Sequence, residues 1–336
     1  MRKAVCSIVM PSYNSEQTIE RVLKSVRMQT ISDQIEIILA DGGSTDKTIE
    51  LAKKYDAIVI QNPDRVPEVG KLIAIREAKG KYVVWEDTDE ELLFATQLEN
   101  RINFMERHNE VKCMVCDVQH PGFESGISGS YLCYCGDPFS NFVYRRRNGI
   151  LDTFVSNIAY SDISGSILKF KDGDATPIGD GGTTIFDFEW IRDHFKDEWD
   201  NQAFICSITD KICRETGCCG CIPGDNIVHH ARADFKTYLK KLKFRVVNNI
   251  FEPDRSGYSA RTESATKTTL SKRKYLYVLY SATIILPLLD AIRIALREKD
   301  IRLLLHWVYN YYVCFEIAVN LVKKLLGKSS SNRSYG

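Results

Sequence analysis

An imbalance of charge is the first thing this sequence lacks: 45 Lys+Arg stand against 44 Asp+Glu, a formal net charge of +1. Net charge governs non-specific attraction to polyanions, so this balance offers nothing for nucleic acid. No recognition-helix or base-stacking motif supplies it instead, and nucleic acid is not among the expected partners. Signal-peptide architecture is missing too, because the N-terminus runs almost directly into the apolar stretch "AVCSIVM". Eleven cysteines without such a signal read as reduced thiols, not as a disulfide framework. Paired zinc knuckles are absent. The cysteine-rich "CRETGCCGC" (213–221) has the spacing C-x4-C-C-x-C, and Cys113 and Cys116 would leave a strand on opposite faces. A structural zinc drawing on His229 or His230 is one reading of those ligands, and packed, inert thiols are the other. Internal repeats are absent and low complexity is slight. A clean membrane span is also missing. "YLYVLYSATIILPLL" (275–289) is too short, and the run 303–322 is interrupted by His306, Asn310, Glu316 and Asn320.

What is present is an ordinary globular composition, 44% hydrophobic and 26% charged, in 336 residues, enough for one large domain or two unequal ones. Residues 1–110 alternate strand and helix signals, which predicts an α/β fold with a mostly parallel sheet and crossover helices. Strands are expected at "AVCSIVM" (4–10), "IEIILA" (35–40), "AIVI" (57–60) and "KYVVW" (81–85). After "PSYN" a helix is expected with Ser15 as N-cap and Ile19, Val22, Leu23 and Val26 on one face. After "DGGSTD" a second follows, with Ser44 as its cap. Further on, strand-like "KCMVCDV" (112–118), a helix from about Asp200 and a strand near "NIVHH" (226–230) are expected.

Three polar loops, "PSYN", "DGGSTD" and "EDTDE", follow the carboxyl ends of strands, the edge where open α/β sheets bind ligands. "EDTDE" (86–90) is the most unusual, since it ends a buried strand in carboxylates that repel one another. A divalent cation held by Asp87 and Asp89 would resolve this, and hard oxygen ligands favour Mg²⁺ or Mn²⁺. The plainer reading is an acidic loop capping a helix near Leu92, with Glu90 and Glu91 at its positive end. Asp41, at a strand end, can accept hydrogen bonds from a base or ribose or simply close a turn. Tyr13 can stack on a base or pack over the sheet edge.

The segments "SIVMPSYNSEQTIERVLKSVRMQT", "IEIILADGGSTDKTIELAKKY" and "REAKGKYVVWEDTDEEL" resemble, in order, family 2 glycosyltransferases with the GT-A fold. The resemblance covers residues 4–110 and, more loosely, 176–250. It implies that Pro11, Ser12, Tyr13, Asn14 and Asp41 bind the nucleotide and that Asp87 and Asp89 bind the donor diphosphate and its Mn²⁺ or Mg²⁺. Glu86 stands where the family often has an apolar residue, and Lys71 falls in a segment that faces the donor. Gly181 and Gly182, in "GDGGTTIF" (179–186), match the glycine loop beneath the donor sugar. His229, with His230 in reserve, matches a histidine that reaches the metal or diphosphate. In "DEWDNQAFICSI" (197–208) Asp200 is the expected catalytic base, with Asp197 and Glu198 as rivals, although the family's adjacent Glu-Asp pair is split by Trp199.

The implied enzyme is an inverting, metal-dependent hexosyltransferase using a UDP or GDP sugar. Its expected layout is a catalytic domain over 1–250, with a nucleotide half (1–110) and an acceptor half (111–250). A linker (251–274), a helical region (275–327) and a frayed tail (328–336) follow. That helical region is flanked by Arg293, Arg297, Lys299 and Arg302 and by Lys323, Lys324 and Lys328. Its amphipathic, aromatic-rich helices suit the cytoplasmic face of a membrane, peripherally or monotopically bound, with a soluble cap or dimer surface, or a true span over 303–322, as the alternatives. Arg232, Lys236, Lys240 and Lys241 add a basic surface for a lipid phosphate, pointing to a lipid-linked or glycan acceptor. Two rivals stand beside the enzyme. One is a sugar nucleotidyltransferase, for which a glycine-rich basic loop after the first strand is missing. The other is a non-catalytic scaffold that kept the nucleotide fold.

Overall fold

The computed structural model describes residues 4–170, 183–231, 233–251 and 273–328. The chain forms two compact units, Met1–Gln119 with Gly149–His229, and His120–Asn148 with His230–Gly336. This grouping differs from the expected single domain over 1–250. Residues 120–148 go with the C-terminal helices because Phe139 and Phe142 pack on Tyr277, and Tyr131 packs on Tyr309.

In the first unit the strands are β1 (Cys6–Ser12), β2 (Ile35–Asp41), β3 (Ala57–Gln61), β4 (Tyr82–Trp85), β5 (Glu90–Leu92) and β6 (Cys113–Val115). After β7 (Gln119–Pro121) come β8 (Ile158–Asp162), β9 (Gly165–Lys169), β10 (Ile185–Asp187), β11 (Cys218–Cys221) and β12 (Ile227–His229). Nine of them form one sheet in the order β3-β2-β1-β4-β10-β6-β11-β9-β8. The first four are parallel, as crossover helices require, and β10 enters antiparallel between β4 and β6. Alternate strand residues feed two cores. Val9, Ile38, Val83 and Trp85 point to one face, while Ile8, Ile37, Tyr82 and Val84 point to the other. A sheet covered on both faces explains why these strands read as continuous apolar runs.

The covering helices are α1 (Ile19–Arg27), α2 (Thr48–Lys54), α3 (Pro67–Glu77) and α4 (Gln97–Arg107). Ile19, Val22, Leu23 and Val26 are the buried face of α1, as their spacing predicts. Neither expected cap is used. Thr18 precedes α1 and Lys47 precedes α2, while Ser15 and Ser44 serve the loops described below. On α3, Gly70 lies so close to β1 that an added Cβ would meet Pro11 Cβ at 3.0 Å and Asn62 Nδ2 at 2.9 Å. Only glycine admits this approach, which brings the next residue, Lys71, over the sheet edge.

α5 (Ile127–Cys135) and α6 (Pro138–Tyr144) belong to the second unit, whereas α7 (Ile150–Thr153), α8 (Phe188–His194), α9 (Gln202–Ile205) and α10 (Ile208–Thr216) return to the first. The second unit continues with α11 (Phe235–Phe251), α12 (Arg273–Ala282), α13 (Ile285–Glu298) and α14 (His306–Leu325) around a core of Tyr131, Tyr238, Tyr277 and Tyr309. The residues that interrupt the apolar run of α14 lie on its buried face: His306, Asn310, Glu316 and Asn320. Tyr131 and Tyr280 hydroxyls bond the two His306 ring nitrogens at 2.8 and 3.2 Å, and Glu316 pairs with Lys243 at 3.4 Å. Tyr311, Phe315, Leu321, Val322 and Leu325 face outward instead. α14 therefore buries four polar side chains beside Tyr309 and Val313 while turning several large apolar ones outward. No single described helix is long and apolar enough to cross a membrane, while α12 and α13 pass that test only as a pair bent by 96°.

Candidate active site

The loops after β1, β2 and β4 meet at one rim of the sheet, because the register sets Ser12 beside Asp41 and Val9 beside Trp85. Hydrogen bonds then tie the loops together. The Ser12 hydroxyl donates to Asp41 at 2.8 Å, the Asn14 N–H to Ser44 Oγ at 2.9 Å, and the Thr45 N–H to Asn14 Oδ1 at 2.9 Å. Ser15 N–H donates to Thr48 Oγ1 at 2.7 Å, and the Thr88 hydroxyl reaches Ser15 Oγ at 2.9 Å, which brings in the acidic loop.

Within this rim Asp41 organises its own turn. Besides Ser12 it accepts from the Gly43 and Ser44 N–H groups at 2.9 and 2.7 Å and from the Ser44 hydroxyl at 2.5 Å. Gly43 takes φ +86°, a left-handed conformation that suits glycine at the bend. Pro11 falls where β1 no longer pairs with β4, so its missing N–H breaks no ladder bond there. Tyr13 leaves half its surface exposed, and the Arg65 guanidinium lies 5.5 Å from its ring centroid. Arg65 was not among the expected residues. Its one sequence signal is a position just after β3, the same strand end that supplies the other loops.

The acidic loop does not cap a helix near Leu92, as the plainer reading expected. Glu90–Leu92 is the strand β5, and α4 starts only at Gln97. β5 pairs antiparallel with β12, with Glu90 opposite His229. That pairing carries His229 Nε2 to 3.4 Å from Asp89 Oδ2. From α3, Lys71 Nζ approaches Asp87 Oδ1 at 3.2 Å and lies 5.3 Å from the Trp85 ring centroid. Asp87, Asp89, His229 and Lys71 are thus gathered on one side of the acidic loop.

Beneath them the charge is arranged differently. Glu86 is fully buried, and neither carboxyl oxygen has a hydrogen-bond partner among the described residues. Burial first, and then the nearby Glu90 carboxylate, push its pKa well above the usual range. Glu90, buried and close to Asp87, is pushed up to about 7. Burial opposes the Lys71 ammonium, but the Asp87 and Glu90 carboxylates outweigh it and raise its pKa. Below, Arg101 pairs with Asp225 at 2.5 Å, both buried, and holds the Thr183 carbonyl, while the Thr183 N–H reaches Glu90 at 3.3 Å. Breaking one partner of such a buried pair typically costs about 3–5 kcal/mol.

Some expected residues fall elsewhere. Asp200 is ion-paired with Arg76, and Glu198 with Lys211 at 2.6 Å. Arg76 lies five residues beyond Lys71 on α3, about 7.5 Å further along the axis. The expected base is thus in contact with α3, the helix that also carries Lys71. The helix expected from Asp200 is only the short α9, and α10 begins at Ile208. Gly181, Gly182 and Arg232 lie outside the described residues. His230 belongs to the second unit, where its ring backs on Gly122.

Asp87 and Asp89 offer carboxylate oxygens and His229 an imidazole nitrogen, donor types that a divalent ion takes. Their donor atoms are not drawn within 4.8 Å of one another as a ready three-ligand group; the contacts present are the pairs Lys71–Asp87 and His229–Asp89.

Residues 7–195 match the family model described as Glycosyl transferase family 2. The chain belongs to that family. Over 104 residues this family 2 chain is 35% identical to the UDP-Glc:alpha-D-GlcNAc-diphosphoundecaprenol beta-1,3-glucosyltransferase WfaP of Escherichia coli, covering 30% of this chain and 41% of that one. Over 111 residues it is 32% identical to an uncharacterized glycosyltransferase of Haemophilus influenzae, covering 31% and 44%. The matches span less than half the length of these curated relatives. In three dimensions the chain resembles the mannosyltransferase PcManGT of Pyrobaculum calidifontis, solved with GDP-Man and Mn²⁺, with TM-score 0.51 at 15% identity over 96% of this chain and 89% of that one. Its α/β architecture is the GT-A fold.

Folded Glu90 keeps its proton up to about pH 7, whereas an ordinary glutamate loses it near 4.5. Between those values the folded state binds more protons than the unfolded one, so stability falls as pH rises through this window. Glu90→Gln, which cannot ionise, should flatten that fall in Tm measured without divalent metal. Parallel Tm profiles for the two proteins across the window would contradict the assignment.

Proposed function

We propose that this chain is an inverting, metal-dependent glycosyltransferase. It would move a sugar from a UDP or GDP donor to a hydroxyl of a lipid-linked or glycan acceptor at the cytoplasmic face of a membrane. The observation that carries the proposal is the β5–β12 pairing. It seats His229 against Asp89, beside the Lys71–Asp87 pair, on the rim where the "PSYN" and "DGGS" loops are joined.

Asp87, Asp89 and His229 hold the ion, which when bound neutralises charge on the diphosphate leaving group. Lys71 adds a second positive charge from α3, and Tyr13 with Arg65 offers a ring and a cation at the nucleotide edge. Asp41 acts indirectly by fixing the turn whose backbone meets the nucleotide. The rigid, cross-tied loops align donor and acceptor, and alignment alone lowers the barrier substantially. Asp200 is the proposed base, and its half-exposed pair with Arg76 is weak enough to open for an acceptor hydroxyl.

The acceptor class rests on chemistry at the second unit and on the name of WfaP, which specifies a diphosphoundecaprenol carrier. Leu276, Leu279, Ile285, Leu289 and Leu296 expose apolar surface on α12 and α13, and α14 adds its outward apolar face. Cations at Arg293, Arg297, Lys323 and Lys324 border these helices and suit anionic headgroups.

With Mn²⁺, a panel of UDP and GDP sugars and a lipid extract, the purified chain should release nucleoside diphosphate. Asp89→Ala and His229→Ala should each lower turnover on the order of 100-fold, and Asp200→Asn by about 100-fold or more. No release with any donor would favour a non-catalytic scaffold, and a loss below about tenfold in Asp200→Asn would remove it as base. The chain should also float with anionic liposomes, and the double variant Ile285→Glu/Leu289→Glu should lose most of that binding. Equal flotation of variant and parent would remove the membrane from the proposal.

A further inference from the structure

Behind the sheet, away from the acidic rim, the first unit gathers three cysteines that the glycosyltransferase reading does not use. Cys113 lies on β6, Cys213 on α10 and Cys219 on β11, and all three are buried in one apolar core. Their sulfurs lie within 4.8 Å of one another, with Cys113 and Cys213 at 3.8 Å. Only part of the "CRETGCCGC" cluster takes part. Cys116, the other half of the C-x-x-C, packs into the opposite core together with Cys218, as strand alternation requires.

We propose that Cys113, Cys213 and Cys219 form a three-sulfur binding site for a soft monovalent metal ion, copper(I). Two sulfurs bound to one ion at about 2.3 Å each stand roughly 3.8–4 Å apart, the separation that Cys113 and Cys213 already have. A structural zinc site almost always closes with four ligands. Among the described residues no fourth His, Cys, Asp or Glu donor joins these three. Soft thiolates without nitrogen or oxygen partners favour copper(I), which accepts three ligands. The ion would tie α10 to the parallel pair β6–β11 and brace the half of the sheet beyond β10.

The test is anaerobic titration of the reduced full chain with copper(I) against a chromogenic chelator, followed by X-ray absorption. The expected result is one copper per chain with three sulfur neighbours and no nitrogen or oxygen. Cys113→Ala, Cys213→Ala and Cys219→Ala should each weaken binding by more than the roughly 10–100-fold that loss of an outer-shell partner costs. Cys116→Ala and Cys221→Ala, equally buried but outside the trio, should bind as the parent does. Circular dichroism on every variant separates loss of ligand from loss of fold, and Cys113→Val provides a volume-filling replacement if alanine unfolds the chain. Copper no tighter than in Cys219→Ala, stoichiometric zinc with a fourth light-atom ligand, or a Cys113–Cys213 disulfide in the purified chain would each overturn the assignment.

Discussion

Carboxylates crowded at the end of a buried strand are the constraint on which the first unit depends. β4 runs through the core as "YVVW" and is followed at once by Glu86, Asp87, Asp89 and Glu90. The fold handles this charge in layers. Burial pushes the pKa of the deepest carboxyl, Glu86, well up, and that of Glu90 to about 7. Lys71 comes across the gap that Gly70 opens. Asp87 and Asp89 remain at the partly exposed outer edge, where Lys71 and His229 face them.

Arg101 and Asp225 matter to that arrangement without touching its outer edge. Their buried pair connects α4, the segment before β12 and the carbonyl of Thr183, whose N–H in turn reaches Glu90. A rigid base of this kind keeps charged groups at fixed separations, which is what electrostatic preorganisation asks of a scaffold.

Much of this was legible in sequence because it is local. Ile8 and Val9, or Ile37 and Ile38, alternate between two covered faces, and three strand-end loops in a parallel sheet must emerge at one edge. Other features depend on partners far along the chain. β5 looks like a helix start until β12, more than a hundred residues on, pairs with it and brings His229 to Asp89. The partner of Asp200, Arg76 on α3, is likewise more than a hundred residues away in sequence. Ser15 and Ser44 have capping chemistry but meet neighbouring loops before any helix begins. In α14 the polar interruptions were visible, but only the packing of Tyr131, Tyr280 and Lys243 shows that they face inward.

Calorimetric titration of UDP and GDP into the chain, with Mn²⁺ and again with chelator, tests most directly whether the acidic rim needs a cation to hold a diphosphate. The account predicts that Mn²⁺ tightens one of the two nucleotides by at least about tenfold, roughly 1.4 kcal/mol, and that Asp87→Asn/Asp89→Asn abolishes the gain. Nucleotide affinity that is the same with metal and with chelator would contradict it.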